Sequence, residues 1–530
     1  MLNEIVFYSR MALGIRQFLR TTPIADAEAA IRHRLATRTT SFLELAERAV
    51  FGNPANPYQK MFQLAGCTYG DLVQEVNTKG LVAVLGQLRT EGVYLTHDEF
   101  KAKTPIVRSG VEIPAHERSF RNPQVAGALS EGVSSGSRSR GTRTPKPTSS
   151  RLHQEAWRRL HHREWQVENH VPLAIYPILP STLSLISGLY QSRLGRPWDR
   201  WFATADGTSR SRHYRLVTNA LVLASRSLGA QVPFPMFLER NDFTVAAEWI
   251  ARRKHEGVSC LVSSFTSAAV RVAMTALEKG FDISGTAFVV GGEALTDTKR
   301  AVIDSVQAEV WPTYYISEVG CIGVACRQMR TGNCVHLSHE AVAVVNHRQP
   351  APLSDVTVNA LLFTTLLPFA PHVLINADMG DAGDIEAARC GCLFAGIGFR
   401  WQIRNIYSFG KLTGHGMTLV GTDLVRILEE ALPACLGGSP TDYQLVEHEG
   451  RAQTQLTLRV SPRVRVSSPE RAKECFLREI QRCYGGALAS QTWRHAEGVT
   501  VKIAEPLTTR GGKVLPLFLL GTGKEAEDAS

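Results

Sequence analysis

The sequence predicts an α/β protein with a large N-terminal domain, built on mostly parallel sheets with crossover helices, and a small mobile α+β domain at its C-terminus. Three observations predict it. Between residues 171 and 384, short apolar strands alternate with amphipathic helices, as crossover connections require. From about residue 405 the order changes to a hairpin, a proline-opened helix and a further strand. At 530 residues the chain also exceeds what one hydrophobic core holds.

The opening stretch MLNEIVFYSRMALGIRQFLR reads as a helix, with Ile5, Tyr8, Ala12, Ile15 and Leu19 at helical spacing. Glu4 and Arg10 break the apolar run that a secretory leader would need. Residues 1–117 are expected to be a helical segment of the large domain; in SFLELAERAVF one face carries Phe42, Leu45, Ala46, Ala49 and Val50. Residues 118–404 form the expected core. There CLVSSF is a strand, AAVRVAMTALEKG a helix closed by Gly280, TAFVV a strand, DTKRAVIDSVQ a helix and AEVWPTYYI a strand. Ligands of such sheets sit beyond the carboxyl ends of the strands.

The longest apolar run, NALLFTTLLPFAPHVLI, contains Thr364, Thr365, two prolines and His372. A membrane helix needs about 20 apolar residues, so paired core strands are expected instead. Residues 405–530 form the small domain: YQLVEHE and AQTQLTLRV flank a turn at Gly450, and Ser468-Pro469 opens a helix closed by Gly485-Gly486. That helix carries the face Ala472, Cys475, Phe476 and Ile480, and GVTVKIAEPL supplies a strand.

The formal charge of +10 suits nucleic acid, an acidic membrane, an acidic carrier protein or a phosphate-rich cofactor. The basic residues are spread along the chain and no aromatic platform adjoins the arginine-rich loop, which weighs against nucleic acid. Ten cysteines in this length do not make a disulfide scaffold. A cytoplasmic protein without a membrane span is expected.

Residues 134–150 read SSGSRSRGTRTPKPTSS. The composition is that of a flexible basic linker, and equally that of a loop whose amides, hydroxyls and guanidinium groups hold phosphate. Five segments in order resemble the adenylate-forming superfamily, specifically its phenylacetate–CoA ligase-like and acyl-protein synthetase-like branch. They are this loop; Gly291, Gly292 and Glu293 after a strand; Tyr315, Ile316, Ser317 and Glu318; Asp381 in DMGDAGDIE; and Lys513 in TTRGGKVLP. Arg404-Asn405 stands where that family has a hinge.

The resemblance implies an AMP-forming ligase that activates a carboxylic acid with ATP and Mg²⁺ and passes the acyl group to CoA, an acyl carrier protein or an amine. It assigns the β- and γ-phosphates to Ser134, Ser135, Gly136, Ser137, Arg143 and Thr144. Gly291, Gly292 and Glu293 by backbone contact, and Tyr314 or Tyr315 by stacking, would line the adenine site, Ser317 is a further nucleotide-binding candidate, and Asp381 with Arg404 nearby would take the ribose. Glu318 would hold Mg²⁺, a hard cation suited to carboxylate oxygen, and Lys513 would bridge carboxylate and α-phosphate. Tyr176, Phe265 and residues 320–323 are candidates for the acid pocket. A homodimer is one candidate oligomeric state. Each residue also has a plain structural alternative: a strand-end ion pair for Glu318, a turn acid for Asp381, a solvated lysine for Lys513. The loop is longer than the family pattern, with arginines in place of Gly-Lys, and Asn405 replaces the hinge aspartate, so a catalytically degenerate scaffold is the alternative.

Cys390-Gly391-Cys392 forms a Cys-x-Cys pair, with Cys326 and His336 upstream. Some members of the branch bind zinc through such a set, which implies a closed, structural Zn²⁺ site. Buried reduced cysteines are the alternative, and Cys334 is a competing ligand.

Overall fold

The computed structural model describes residues 2–125, 131–133, 143–204, 209–239, 242–330, 333–350, 357–409, 413–414, 417–418, 421–449, 454–482, 499–509 and 512–520. Ser134, Ser135, Gly136, Ser137, Gly450 and Gly485-Gly486 lie outside them, as does the side chain of Arg143.

Capping chemistry sets out the N-terminal helices. Asp26 accepts from the Ala29 amide to start Ala27–Ala36, Asn56 with Pro57 in the first turn starts Pro57–Leu64, and Thr68 with Asp71 closes a capping box on Tyr69–Lys79. Phe42, Leu45, Ala46, Ala49 and Val50 are all buried, and the helix Arg38–Ala46 runs on into a π-helical turn at Glu47–Phe51.

The main sheet has twelve strands. They are β1 (Val171–Ile175), β2 (Arg200–Thr204), β3 (Pro235–Leu238), β4 (Cys260–Phe265), β5 (Ala287–Gly291), β6 (Glu309–Ile316), β7 (Gly320–Val324), β8 (Val335–Leu337), β9 (Val342–Pro350), β10 (Thr357–Thr365), β11 (Ala377–Ala387) and β12 (Trp401–Ser408). Their spatial order is β9-β10-β11-β12-β8-β7-β6-β5-β4-β1-β2-β3. From β3 to β6 every pairing is parallel; from β6 to β9 every pairing is antiparallel.

The inner strands of the parallel half are covered on both faces, so they are mostly apolar on both. Val262, Phe288 and Val310 meet Ala246, Ile250, Val270 and Ala273 of helices Thr244–His255 and Thr266–Lys279. Their neighbours Leu261, Ala287 and Trp311 point to the opposite face, against Ala156, Leu160 and Trp165 of helix Thr148–Trp165. The period of two in side-chain direction produces this division. The helix Thr266–Lys279 ends at Gly280, which is left-handed at φ +69°.

A smaller four-stranded mixed sheet follows, with β13 (Tyr443–Glu449), β14 (Thr454–Val460), β15 (Val499–Ile503) and β16 (Leu517–Leu520) in the order β15-β14-β13-β16. Helix Pro469–Gln481 lays Ala472, Cys475, Phe476 and Ile480 on it, capped by Ser468. A disulfide joins Cys435 to Cys475. No helix among the described residues is long and apolar enough to cross a membrane.

The long apolar run forms one strand, not a pair. β10 takes its first half, residues 366–375 make a buried loop with Pro368 and Pro371, and the partner strand is β11. Proline has no amide to give to a ladder, which stops the second strand from forming there. Asp381 accordingly lies inside β11 and not in a turn, and Arg404-Asn405 lies inside β12.

Candidate active site

The carboxyl ends of β4, β5 and β6 stand level, with Phe265 and Thr313 both in register with Gly291. Two glycines let other atoms close in on these ends. A Cβ on Gly291 would lie 2.6 Å from Thr313 Oγ1. Gly292, at φ +79°, would place a Cβ 2.9 Å from Lys513 Nζ and 3.3 Å from Phe265 Cδ1. Lys513 thus reaches from the C-terminal module onto the floor of the sheet's ligand edge, with its ammonium 5.6 Å from the Phe265 ring centre.

Glu293 seats that lysine. Its carboxylate accepts from the Ser267 amide at 2.7 Å, the Ser267 hydroxyl at 3.0 Å and the Val514 amide at 2.9 Å. Ser267 stands in the first turn of helix Thr266–Lys279, where amides await an acceptor. Burial raises the Glu293 carboxyl above its ordinary range, against the opposing pull of Lys299, Ser267 and Lys513. Gly512, at φ +80°, rests against Pro177, where a Cβ would fall 3.0 Å from the ring. The Glu293 carboxylate faces Ser267 and the Lys513 segment.

Residues 314–318, at the end of β6, connect the remaining groups. Tyr314 donates to Asp381 Oδ2 at 2.8 Å, and Ser408 donates to Asp381 Oδ1. Burial and then Asp381 push the Tyr314 phenol well above its ordinary value. Arg404 does not approach Asp381. The register sets Asp381 opposite Ser408, while Arg404 pairs with Glu386 at 3.2 Å and stands half exposed. Asn405 is left-handed at φ +52° and donates to Asp384 at 2.9 Å, a conformation asparagine tolerates better than most residues.

Tyr315 meets Lys146 Nζ at 2.6 Å, and the same ammonium donates to the Ser317 carbonyl at 3.3 Å. Lys146 follows the short hairpin of Glu131–Val133 with Arg143–Pro145, which brackets the loop 134–142. Thr144 is fully buried, with no partner for its hydroxyl among the described residues. Lys146 and its tie to Tyr315 were not singled out in the sequence; the Pro-Lys ending of the loop was the available signal.

Glu318 is buried and accepts from Lys101 Nζ at 2.9 Å, while Lys101 also pairs with Glu117 at 3.1 Å. Burial would raise the Glu318 carboxyl; Lys101 outweighs it and holds the carboxyl below its usual range. The Glu318 carbonyl lies 3.2 Å from His372 Nδ1. One hard carboxylate suits Mg²⁺, which keeps several waters and takes phosphate oxygens for the rest. Lys101, from a helical region with no motif of its own, was invisible in the sequence.

Tyr176 and Phe265 meet edge to face at 5.3 Å, and Cys321 on β7 stands near Ser338 at 3.9 Å. Burial lifts both the Tyr176 phenol and the Cys321 thiol to about 12. Both keep some accessible surface, as groups lining a cleft do.

Apart from this edge, the ligand atoms of Cys326, His336, Cys390 and Cys392 all lie within 4.8 Å of one another. His336 Nε2 is 3.2 Å from each of Cys390 Sγ and Cys392 Sγ, and its Nδ1 sits 3.0 Å from the Phe399 carbonyl. With that carbonyl taking the Nδ1 proton, Nε2 presents its lone pair to the sulfurs. Three sulfurs and one imidazole are the donor set of a closed zinc site. Cys334 is buried and outside the group.

No protein-family model matches this sequence, and no curated protein is similar to it. Solved structures do resemble it in chain course. ATP-bound MatB from Rhodopseudomonas palustris is 11% identical, with 73% of this chain and 66% of that one covered and a TM-score of 0.39. Acetoacetyl-CoA synthetase from Streptomyces lividans is 12% identical over 73% of this chain and 54% of that one, with a TM-score of 0.40. O-succinylbenzoate coenzyme A synthetase (MenE) from Bacillus subtilis, in complex with ATP and magnesium ion, is 11% identical over 82% and 80%, with a TM-score of 0.39. The chain therefore spans about two-thirds of the MatB chain and about half of the Streptomyces enzyme.

Proposed function

We propose that this protein is an AMP-forming carboxylate ligase of the adenylate-forming superfamily, resembling its phenylacetate–CoA ligase-like and acyl-protein synthetase-like branch. The observation that carries the reading is the approach of Lys513 to Gly292 and Phe265, at the edge where strands of a parallel sheet present ligands. A carboxylate oxygen attacks the α-phosphorus of ATP, the bond to the β-phosphate breaks, and pyrophosphate leaves. A thiolate, from CoA or a carrier protein, then attacks the acyl carbonyl and AMP departs.

In this account Lys513 neutralises the two anions that must meet, and Glu293 fixes its position. Asp381, held by Tyr314 and Ser408, offers acceptors to the ribose hydroxyls. Glu318 shares its carboxylate between Lys101 and Mg²⁺, which when bound offsets phosphate charge. The loop ending at Lys146 takes the outer phosphates. The module that follows β12 turns between half-reactions, withdrawing Lys513 to admit the thiol. Cys326, His336, Cys390 and Cys392 hold a structural Zn²⁺ that ties β8 to the Cys390 loop, with no ligand position left for chemistry.

Acid-dependent exchange of labelled pyrophosphate into ATP tests the reading. Exchange with at least one acid of a broad panel is expected. ATP binding with no exchange across the panel would leave a nucleotide-binding scaffold instead.

A further inference from the structure

Helix Thr148–Trp165 carries Arg158, and Gln154, one turn earlier on the same face, donates to the Tyr315 hydroxyl at 3.4 Å. Arg158 donates to Ser187 Oγ at 3.3 Å and its guanidinium lies 4.8 Å from the centre of the Tyr190 ring. No carboxylate pairs with it among the described residues. The neighbouring arginines are treated differently: Arg159 and Arg193 share Glu155, at 3.4 and 2.9 Å. An arginine stays ionised even where burial opposes it, and a desolvated cation without an anion is costly. Stacking on Tyr190 offsets part of that cost.

The groups that act on the charge of Arg158 agree with that placement. Burial is the leading influence on its charge, followed by Tyr190, Tyr176, Cys321 and Tyr315. Yet the residue keeps accessible surface. Tyr176 meets Phe265 at 5.3 Å, and Phe265 lies 5.6 Å from the Lys513 ammonium. The path Lys513, Phe265, Tyr176, Arg158 therefore has one cation at each end and aromatic walls between them.

We infer that the acid this protein activates carries a second carboxylate, remote from the reacting one, which the Arg158 guanidinium holds. The inference rests on the ligase reading above. A guanidinium fork matches a carboxylate with two parallel hydrogen bonds, and a monocarboxylic acid of equal length would leave Arg158 without its anion. Unpaired buried polar groups are what give such sites their discrimination.

Pyrophosphate exchange with matched pairs (hexanoate and adipate, octanoate and suberate, phenylacetate and phenylenediacetate) provides the test. The diacid of the best pair should exceed its partner in kcat/KM by about 10-fold or more. Arg158→Met should lower diacid kcat/KM by about 10- to 100-fold, through KM, and leave the monoacid within about 2-fold. Arg158→Lys should recover part of the loss. Diacid-induced shifts in Tm, with a non-hydrolysable ATP analogue present, should follow the same order. Equal use of both members by the wild type, or equal losses on both in Arg158→Met, would overturn the inference and leave the ligase standing. Failure of every acid to support exchange would remove the ligase reading, and this inference with it.

Discussion

The amide of Val514 donates to Glu293 Oε1 at 2.9 Å, so the residue after Lys513 is anchored to the loop that follows β5. Glu293 is held in turn by both donors of Ser267. Glu293 thus helps to hold the lysine near Gly292, beside the Thr509 bonds to the Lys513 backbone, and Glu293→Ala should loosen it. Adenylation should fall by about 10- to 100-fold, with a smaller change in ATP affinity. Rapid-quench measurement of acyl-adenylate beside equilibrium ATP binding checks this, and unaltered adenylation would show that Glu293 does not position Lys513.

A second tie joins the module to the large domain. Lys299 Nζ pairs with Glu429 Oε1 at 2.7 Å, both buried, and Thr296 donates to the other oxygen of Glu429 at 2.6 Å. Removing one member of a buried pair strands the other, so Glu429→Ala is expected to cost about 3–5 kcal/mol. The midpoint of urea unfolding should drop accordingly, and limited proteolysis after β12 should quicken. A variant as stable as the wild type would mean that the pair is solvated in solution.

The Glu318 carboxyl lies below its ordinary 4.5 because Lys101 outweighs burial. A lowered folded-state value means that the pairing stabilises the fold above about pH 4.5 and is lost as pH falls through the lowered value. In Lys101→Met the largest charge opposing burial is gone, leaving only His372 and a backbone hydrogen bond against it, so the carboxyl should rise. The wild type should then exceed the variant in Tm by most near pH 7, and the gap should close toward pH 3. A gap independent of pH would contradict the ion pair.

The Cys326, His336, Cys390 and Cys392 group predicts about one zinc per purified chain, lost in Cys390→Ser. Metal analysis measures this directly. Removal by a strong chelator should lower Tm without abolishing ATP binding, since the group lies apart from residues 314–318. Protein without stoichiometric zinc would leave three reduced cysteines beside a buried histidine.

Much of this was legible in the sequence, for physical reasons. CLVSSF, TAFVV and AEVWPTYYI are buried on both faces and read as apolar runs, and Gly280 marks a helix end because its backbone is left-handed. The face of helix Pro469–Gln481 follows from spacing alone. What pairing decides was hidden. Register, which no local pattern encodes, set Ser408 and not Arg404 against Asp381. Pro368 and Pro371 broke a run whose hydropathy looked continuous. Lys101 and Arg158 acquire meaning only from residues more than 100 positions away in the chain, or from the absence of a carboxylate beside them.

The most direct test compares pyrophosphate exchange in the wild type and in Lys513→Ala, with ATP affinity measured on both. Acid-dependent exchange in the wild type, reduced at least about 100-fold in the variant with ATP affinity within about 3-fold, is the predicted result. Exchange that survives the substitution, or a loss of ATP binding as large as the loss of exchange, would contradict the placement of Lys513 at the bond being made.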